Sequence, residues 1–275
     1  MSAFFSIILG MKYEKIIVGK FIDRPNRFVA EVEIDAAGEE PHMWETEHQR
    51  KMINRKSGSE KAGQIAFVHV KNTGRCRELL VPGATVWLED FTDRMGTRKL
   101  AYSLVGIKKQ TENGILKINM DSQAPNKVVR EALESGKIKL EGMGKLTVIQ
   151  PEKTYGNSRF DLYIEDEEGR KGYIEVKGVT LEERGTAYFP DAPTERGVKH
   201  IRELIEVCRN GMGAWLIFVV QMRNVLKMKP NDVTHRAFGD ILRRAAEEGV
   251  HVHAFSCDVT EESLEICEEI PVDLT

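Results

Sequence analysis

Three residues in the second half of the 275-residue chain, Asp161, Glu175 and Lys177, have the side chains that phosphodiester chemistry requires. Mg²⁺ in proteins is typically held by one or two carboxylates, keeps several waters and takes its remaining oxygens from a substrate phosphate. A lysine beside such a centre can orient a water and neutralise charge that builds up on the phosphate. The three residues therefore form a candidate catalytic set, with Asp161 and Glu175 as ligands of Mg²⁺ or Mn²⁺. The alternative is a hairpin face that is simply solvated, as most charged hairpin faces are.

Turn chemistry indicates how these residues come together. Residues 167–169, Glu-Glu-Gly, are typical of a three-residue hairpin loop with Gly169 in the left-handed conformation. If positions 166 and 170 close that loop, Asp161 lies opposite Glu175, with Cβ atoms about 5 Å apart. The same register puts Phe160 on a wholly apolar face, and a slip of one residue would mix the two faces.

A helix is predicted on each side of the hairpin. The first runs from Asn126 to Ser135, with Asn126 as its cap and Gly136 as its stop signal. Glu131 on this helix is a candidate for a further metal contact, with a solvated helix face as the alternative.

The second predicted helix runs from Thr194 to Arg209 and carries basic residues near its N-terminus, a place suited to phosphate. Together with a hairpin arginine they are candidate nucleic-acid contacts: Arg159, Arg196, Lys199 and His200. Surface salt bridges are the alternative role for these side chains.

Two loops hold further candidates for contact with nucleic acid. Asn72, Arg75 and Arg77 lie in a turn-rich segment that could hold a phosphate through its backbone N–H groups and its arginines. Tyr188 and Phe189 lie in a loop bounded by glycine and proline and could stack on bases. A plain turn, and packing over the sheet edge, are the alternatives for the two loops.

The first part of the chain has the pattern of an all-β domain. Five or six short apolar runs lie between Lys15 and about Met120, and they are separated by Gly, Pro and Asn turn signals. This pattern predicts a small barrel of the OB type over residues 11–121, a fold that commonly binds single strands without proving that it does. Residues 37–63 interrupt the pattern and are polar, which predicts a long loop rather than an active-site lid.

After residue 121 the pattern changes to α/β. Helices alternate with the hairpin strands, the apolar run 214–220 and a strand at 250–255, with a third helix predicted from Phe238 to Glu248. The order predicts a mixed sheet flanked by helices over residues 122–275.

Bulk composition limits the class of protein without choosing a partner. The chain has 41% hydrophobic and 30% charged residues and a net charge of −3, which neither supports nor excludes nucleic-acid binding. The four scattered cysteines show no metal or disulfide spacing. The apolar start is too short to span a membrane, and it lacks the basic region of a signal peptide, so we expect a cytoplasmic protein without a membrane partner.

Several long blocks of sequence resemble the sugar fermentation stimulation protein A family. The blocks are Asn72–Arg75, Arg77–Ala84, Ser158–Asp161, Ile174–Lys177 and Pro190–Gly197, within a likeness that runs from about Arg27 to Glu262. The resemblance implies an OB-like barrel followed by a domain similar to PD-(D/E)XK nucleases, in which Asp161, Glu175 and Lys177 occupy the pattern positions. Phe160 replaces the usual proline of that pattern. The family's assigned activity is DNA binding linked to the regulation of sugar-utilisation genes.

Two functional hypotheses follow from these observations. The first is a nucleic-acid-binding protein with a metal-dependent phosphodiesterase site, acting on DNA or RNA. The second is a DNA-binding regulator that uses the same basic surfaces without hydrolysis. A glycosidase would accept two close carboxylates, but the adjacent lysine and the lack of an aromatic-lined cleft argue against it.

Overall fold

A computed structural model describes residues 11–34, 63–72, 74–112 and 114–275. Of the predicted polar loop at 37–63, only Gly63 falls within the described residues, and residues 1–10 also lie outside them. Among the described residues, no helix is long and apolar enough to cross a membrane.

The first two residues described, β1 (Met11–Lys12), pair with the last strand of the chain. The next six strands form one sheet, with spatial order β4-β3-β2-β5-β6-β7: β2 (Ile16–Asn26), β3 (Val29–Ile34), β4 (Gln64–Val70), β5 (Thr85–Asp90), β6 (Tyr102–Thr111) and β7 (Gly114–Asn119). Parallel pairing of β4 with β6 closes five of these strands into a barrel. The predicted OB-like barrel is therefore confirmed.

A seven-stranded mixed sheet forms the second part, with spatial order β1-β16-β15-β13-β10-β9-β8. Its remaining strands are β8 (Leu146–Tyr155), β9 (Ser158–Asp166), β10 (Lys171–Val179), β13 (Gly213–Val220), β15 (His251–Val259) and β16 (Ser263–Ile270). A small second sheet contains β11 (Leu181–Glu183), β12 (Thr186–Phe189) and β14 (Lys227–Pro230). The helices of the described residues are α1 (Ala124–Glu134), α2 (Glu195–Arg209) and α3 (Asp232–Glu247).

Helices cover both faces of the seven-stranded sheet, because its central strands are apolar on both sides. On one face α1 packs Val128 and Val129 against Ile174 and Trp215. On the other face α2 and α3 pack against the side chains that point the opposite way, such as Phe218. The predicted mixed sheet flanked by helices is therefore confirmed.

Two helix starts differ from the prediction. α1 begins at Ala124 after Gln123, with proline in its first turn, so Asn126 lies inside the helix and does not cap it. α3 begins at Asp232, where the side chain of Asn231 accepts from Thr234 N and caps the helix. The backbone is non-helical at His235, and this kink separates the early turn from the apolar periodicity that starts at Phe238.

Candidate active site

The hairpin of β9 and β10 has the register that its loop composition predicts. Glu165 pairs with Lys171 and Leu162 with Ile174, while Gly169 adopts a φ of 78°. The pairing between the two strands ends at Leu162 and Ile174, one pair before Asp161 and Glu175. From there β10 continues its parallel pairing with β13 as far as Val179. Asp161 and Glu175 therefore lie where β9 and β10 separate.

Asp161 fills the gap in the ladder with its side chain. Its Oδ2 accepts the backbone N–H of Val176 at 2.8 Å, in the place of a ladder carbonyl. Its Oδ1 accepts from the Asn126 side chain of α1 at 2.7 Å. Two strands and one helix thus fix this carboxylate.

Glu175 is 2% exposed, and its Oε1 is held from two sides. Lys177 Nζ donates to this oxygen at 2.5 Å, and His200 Nδ1 of α2 contacts the same oxygen. The other oxygen, Oε2, is buried and has no hydrogen-bond partner among the described residues. One carboxylate oxygen is therefore fixed while the other is left for a ligand.

Helix α2 carries the group that orients Glu175. Thr194 caps this helix by accepting from Gly197 N at 3.1 Å. Arg196 lies in the first turn of α2, and its Nε donates to Nε2 of His200, one turn further along the helix, at 3.3 Å. Because Nε2 accepts from a guanidinium, the imidazole proton resides on Nδ1, from which it is donated to Glu175.

The two carboxyl groups differ in acidity. Burial, and then the charge of Glu175, raise the pKa of Asp161, in spite of the N–H of Val176 that it accepts. Burial alone would raise the pKa of Glu175 too, but the hydrogen bond from His200 and the charge of Lys177 outweigh burial and lower it. Two like charges this close favour one protonated carboxyl group, and a cation between them would favour two carboxylates.

Phe160 departs from the predicted apolar face. Its ring centroid lies 5.4 Å from that of Tyr173 and 6.3 Å from that of His200, on the side that α2 covers. The neighbouring strand β8 is irregular at this level, since Glu152 has a φ of 56°. The alternation that the sequence predicts for β9 breaks at this point.

Glu131 is not brought to the other two acids. It lies on the part of α1 that faces the Met11 backbone and Glu265, and burial raises its pKa. Its nearest cation is Lys127, at 3.9 Å. Within the described residues, no group of three or more His, Cys, Asp or Glu side chains forms a metal cluster.

The candidate nucleic-acid contacts divide into two groups. His200 is buried beside Glu175, whereas Arg196, Lys199 and Arg159 are exposed around it. Lys199 Nζ donates to the carbonyl of Asn157 in the β8–β9 turn, at 3.1 Å. These residues are therefore close to the hairpin.

The second group lies on the barrel. Arg75 and Arg77 are exposed, and neither is in an ion pair within the described residues. Arg24 organises their loop by donating to the backbone carbonyls of Asn72, Gly74 and Arg75 at 2.7, 2.8 and 2.9 Å. This loop faces the second part of the molecule.

Two contributors to the site were not predicted as site residues: Asn126 was predicted as a helix cap, and Arg24 was not singled out. His200 was predicted as a nucleic-acid contact, whereas the structure buries it beside Glu175. His200 alone gave a usable signal, because it lies on the same helical stripe as Ile201 and Leu204 and is thus expected to be shielded.

The fold and site together define a two-domain protein with an OB-like barrel and a nuclease-like domain. A family model described as the sugar fermentation stimulation protein RE domain matches residues 123–263, and one described as the SfsA N-terminal OB domain matches residues 22–116. The chain belongs to the sugar fermentation stimulation protein family.

Similar proteins cover nearly the whole chain. A sugar fermentation stimulation protein homolog of Desulfitobacterium hafniense is 46% identical over 266 residues, which are 96% of this chain and 99% of the relative. A homolog of Clostridium beijerinckii is 46% identical over 264 residues, 96% of this chain and 100% of the relative. The solved structure of Pyrococcus furiosus SfsA in complex with Ca²⁺ is 26% identical with a TM-score of 0.74, covering 96% of this chain and 99% of the other.

Proposed function

We propose that this protein is a divalent-metal-dependent phosphodiesterase that acts on nucleic acid, with DNA as the expected substrate. The observation that carries the proposal is the hydrogen bonding of the two carboxylate oxygens of Glu175. Its Oε1 is held by two donors, while its buried Oε2 has no partner among the described residues. A buried, unpaired carboxylate oxygen is costly. Oε2 of Glu131 and Oε2 of Glu203 are also buried without a partner among the described residues. Glu175 differs from both because the charge of a second acid, Asp161, acts on it and two donors fix its Oε1, an arrangement that a cation would complete.

The donor set fits a hard divalent cation. Asp161 and Glu175 would hold Mg²⁺ or Mn²⁺, both of which bind carboxylate oxygens. The Ca²⁺ in the structure of Pyrococcus furiosus SfsA supports a cation of this kind. When bound, the cation would lower the pKa of a water and stabilise charge on a phosphate.

The residues of the chain itself have separate tasks in this proposal. The Lys177 ammonium, 2.5 Å from Glu175, would turn towards a phosphate oxygen and neutralise its developing charge. His200 and Arg196 are positioning residues, because they hold one oxygen of Glu175 and keep the imidazole proton on Nδ1. A cation would bind the carboxylate form of Asp161 and not the protonated form, so the proposed activity should fall as the pH drops through the raised pKa of Asp161.

The strand would be held by exposed cations on both parts of the molecule. Arg159, Arg196 and Lys199 border the hairpin, and Arg75 and Arg77 extend the basic surface onto the barrel. Each phosphate that these side chains neutralise releases counterions, so binding should weaken steeply with salt.

The test is a cleavage assay with the purified protein. Labelled single- and double-stranded DNA and RNA are incubated with Mg²⁺, Mn²⁺ or EDTA. We expect cutting in either metal, none in EDTA, and a loss of roughly a hundredfold or more for Glu175→Gln and Lys177→Met.

Glu131→Gln is the matched control, since it removes an acid that lies away from the site. It should cut at the parental rate. Cutting that survives Glu175→Gln would contradict the catalytic assignment. Salt-sensitive DNA binding by a parent that cuts nothing would favour the binding-only regulator.

A further inference from the structure

A partly open polar cleft of about 90 Å³ lies next to the candidate active site. Asn72 of the barrel loop lines one part of it, and Tyr188, Asp191 and Gln221 of the nuclease-like domain line another. Gly178, which follows Lys177 in β10, also lines it. The cleft therefore joins the barrel to the strand that carries Glu175 and Lys177.

The two loops that form the cleft are packed closely. A Cβ atom on Gly74 would lie 2.5 Å from Asp191 Oδ2 and 2.9 Å from Asn72 Oδ1, so only glycine lets these two side chains approach the loop. Arg24 fixes the same loop through its backbone carbonyls, as described above. The polar groups of the cleft are thus held in place before a ligand arrives.

The donors and acceptors of the cleft are complementary in type. Asn72 Oδ1 accepts from Gly74 N at 2.8 Å, which leaves its amide Nδ2 as a donor. The Asp191 carboxylate is partly buried and makes no hydrogen bond or ion pair in the described part of the chain, and its charge interacts at longer range with Arg24 and Cys76. A cleft that presents a carboxylate repels phosphate and favours a neutral group with N–H donors.

Among the bases, guanine offers that arrangement on its Watson–Crick edge. N1–H and the N2 amino group are adjacent donors for one carboxylate, and O6 beside them accepts from an amide. Adenine and cytosine present a single amino donor next to a ring nitrogen acceptor, and thymine places a carbonyl on each side of its N–H. We propose that the cleft binds the Watson–Crick edge of an unpaired guanine, with Asp191 as acceptor and Asn72 as donor.

This inference rests on the proposed function, because Gly178, the neighbour of Lys177 on β10, lines the cleft, so a strand with one base bound there would lie close to the candidate active site. A paired guanine cannot use this edge, so the strand must be single or have its base extruded. Tyr188, which also lines the cleft, adds an aromatic surface beside the base.

The test measures binding without cleavage. Fluorescein-labelled oligothymidine strands that carry one central guanine, hypoxanthine, adenine or cytosine are titrated with the full-length protein in EDTA, and anisotropy is recorded. We expect guanine to bind roughly tenfold more tightly than adenine or cytosine. Hypoxanthine, which lacks the N2 amino group, should fall between them.

Asp191→Asn should remove most of the guanine preference, because an amide presents a donor to the N2 amino group. Glu183→Gln is the matched control, since Glu183 is exposed and does not line the cleft. Equal binding of all four strands by the parent, or a guanine preference that survives Asp191→Asn, would overturn the inference. The comparison of bases in the parent does not depend on how well a variant folds.

If the proposed function is wrong and the protein does not bind nucleic acid, no strand binds at all, and a separate titration then tests the cleft by itself. If no strand binds, guanosine, inosine and adenosine monophosphates are titrated into the full-length protein in EDTA, and the heat of binding is recorded by calorimetry. Guanine-selective saturation that Asp191→Asn abolishes would support the cleft as a site for a free guanine nucleotide. Absence of that selectivity would overturn the cleft as a guanine site altogether.

Discussion

Asp161 and Glu175 show how two acids of one site acquire opposite properties. Asp161 is packed against a helix amide and a strand N–H, and the charge of Glu175 adds to its burial, so its pKa is raised. Glu175 is more enclosed, yet His200 and Lys177 lower its pKa. The contrast depends on the partners of each group and not on its depth.

The contrast predicts stability changes of different size for the two acids at pH 8 in EDTA. Asp161, whose folded-state pKa is raised, stabilises the fold below its unfolded-state pKa, and this contribution is lost as the pH rises through the folded-state pKa. Ionised Asp161 therefore contributes less to the stability of the fold than protonated Asp161 does. Glu175, whose folded-state pKa is lowered, stabilises the fold above its unfolded-state pKa, and this contribution is lost as the pH falls through the folded-state pKa. Asp161→Asn removes the repulsion from Glu175 but loses one of the two hydrogen bonds that Asp161 accepts, so it should change the Tm by about 1 °C or less. Glu175→Gln should lower the Tm by at least ~5 °C.

Thermal unfolding of both variants from pH 8 downwards checks this difference. The Glu175→Gln effect should begin to shrink below the ordinary value of 4.5 and vanish only as the pH falls through the lowered folded-state pKa of Glu175. A Glu175→Gln variant more stable than the parent at pH 8 would contradict the described contacts of Glu175.

At the scale of elements, the hairpin is the best-predicted part of the molecule. A Glu-Glu-Gly loop with apolar residues in alternation sets its register, and the observed pairs from Glu165–Lys171 to Leu162–Ile174 agree. The separation of the strands beyond Leu162 was not predictable, because β10 leaves β9 for a parallel partner whose position depends on the whole sheet. The inward turn of Phe160 has the same kind of cause.

Asp166 closes the hairpin and should govern its stability. It accepts from the N–H groups of Gly144, Glu168 and Arg170 at 2.8, 3.0 and 2.9 Å, and from Arg170 Nε at 2.7 Å. Burial alone would raise its pKa, but these hydrogen bonds outweigh burial and lower the pKa to about 2. The stabilisation is thus present above the ordinary value of 3.8 and is lost as pH falls to about 2.

We expect Asp166→Asn to lower the Tm at pH 7 by roughly 5 °C, since an amide cannot accept all four hydrogen bonds. Glu168→Gln on the same loop is the control and should change it by about 1 °C or less, because its ion pair with Arg170 is exposed. Calorimetry at pH 7 and pH 2.5 provides the measurement. An Asp166→Asn effect of the same size at both pH values would argue against the carboxylate as its source.

At the scale of the molecule, the two parts share their core. One cluster joins Leu104 of the barrel to Phe218 of the seven-stranded sheet, and another joins Trp87 of the barrel to Trp215 of the same sheet. The barrel and mixed sheet were each predictable from local patterns. The pairing of Met11–Lys12 with β16 was not, since it joins residues more than 250 positions apart, including Met11 and Leu264.

Gln221 connects the two parts through its side-chain amide. Its Nε2 donates to Asn119 O, Asn119 Oδ1 and Asp121 O at 3.2, 2.9 and 3.0 Å, and the residue is 1% exposed. We expect Gln221→Met to lower the free energy of unfolding by about 1–3 kcal/mol, because those buried acceptors would lose the donor that Gln221 provides. The exposed Gln110 provides the control, Gln110→Met.

Because the core is continuous, calorimetry of Gln221→Met should show one transition moved to lower temperature. Two transitions, only one of them moved, would mean that the barrel and the nuclease-like domain unfold independently.

Titration calorimetry with Mn²⁺ tests most directly whether Asp161 and Glu175 hold a divalent cation. At pH 8, the parent protein should give saturable heat, and Asp161→Asn and Glu175→Gln should each remove it or weaken binding by at least roughly tenfold. Glu131→Gln should bind as the parent does. Saturable binding that is unchanged in Glu175→Gln would contradict the site described here.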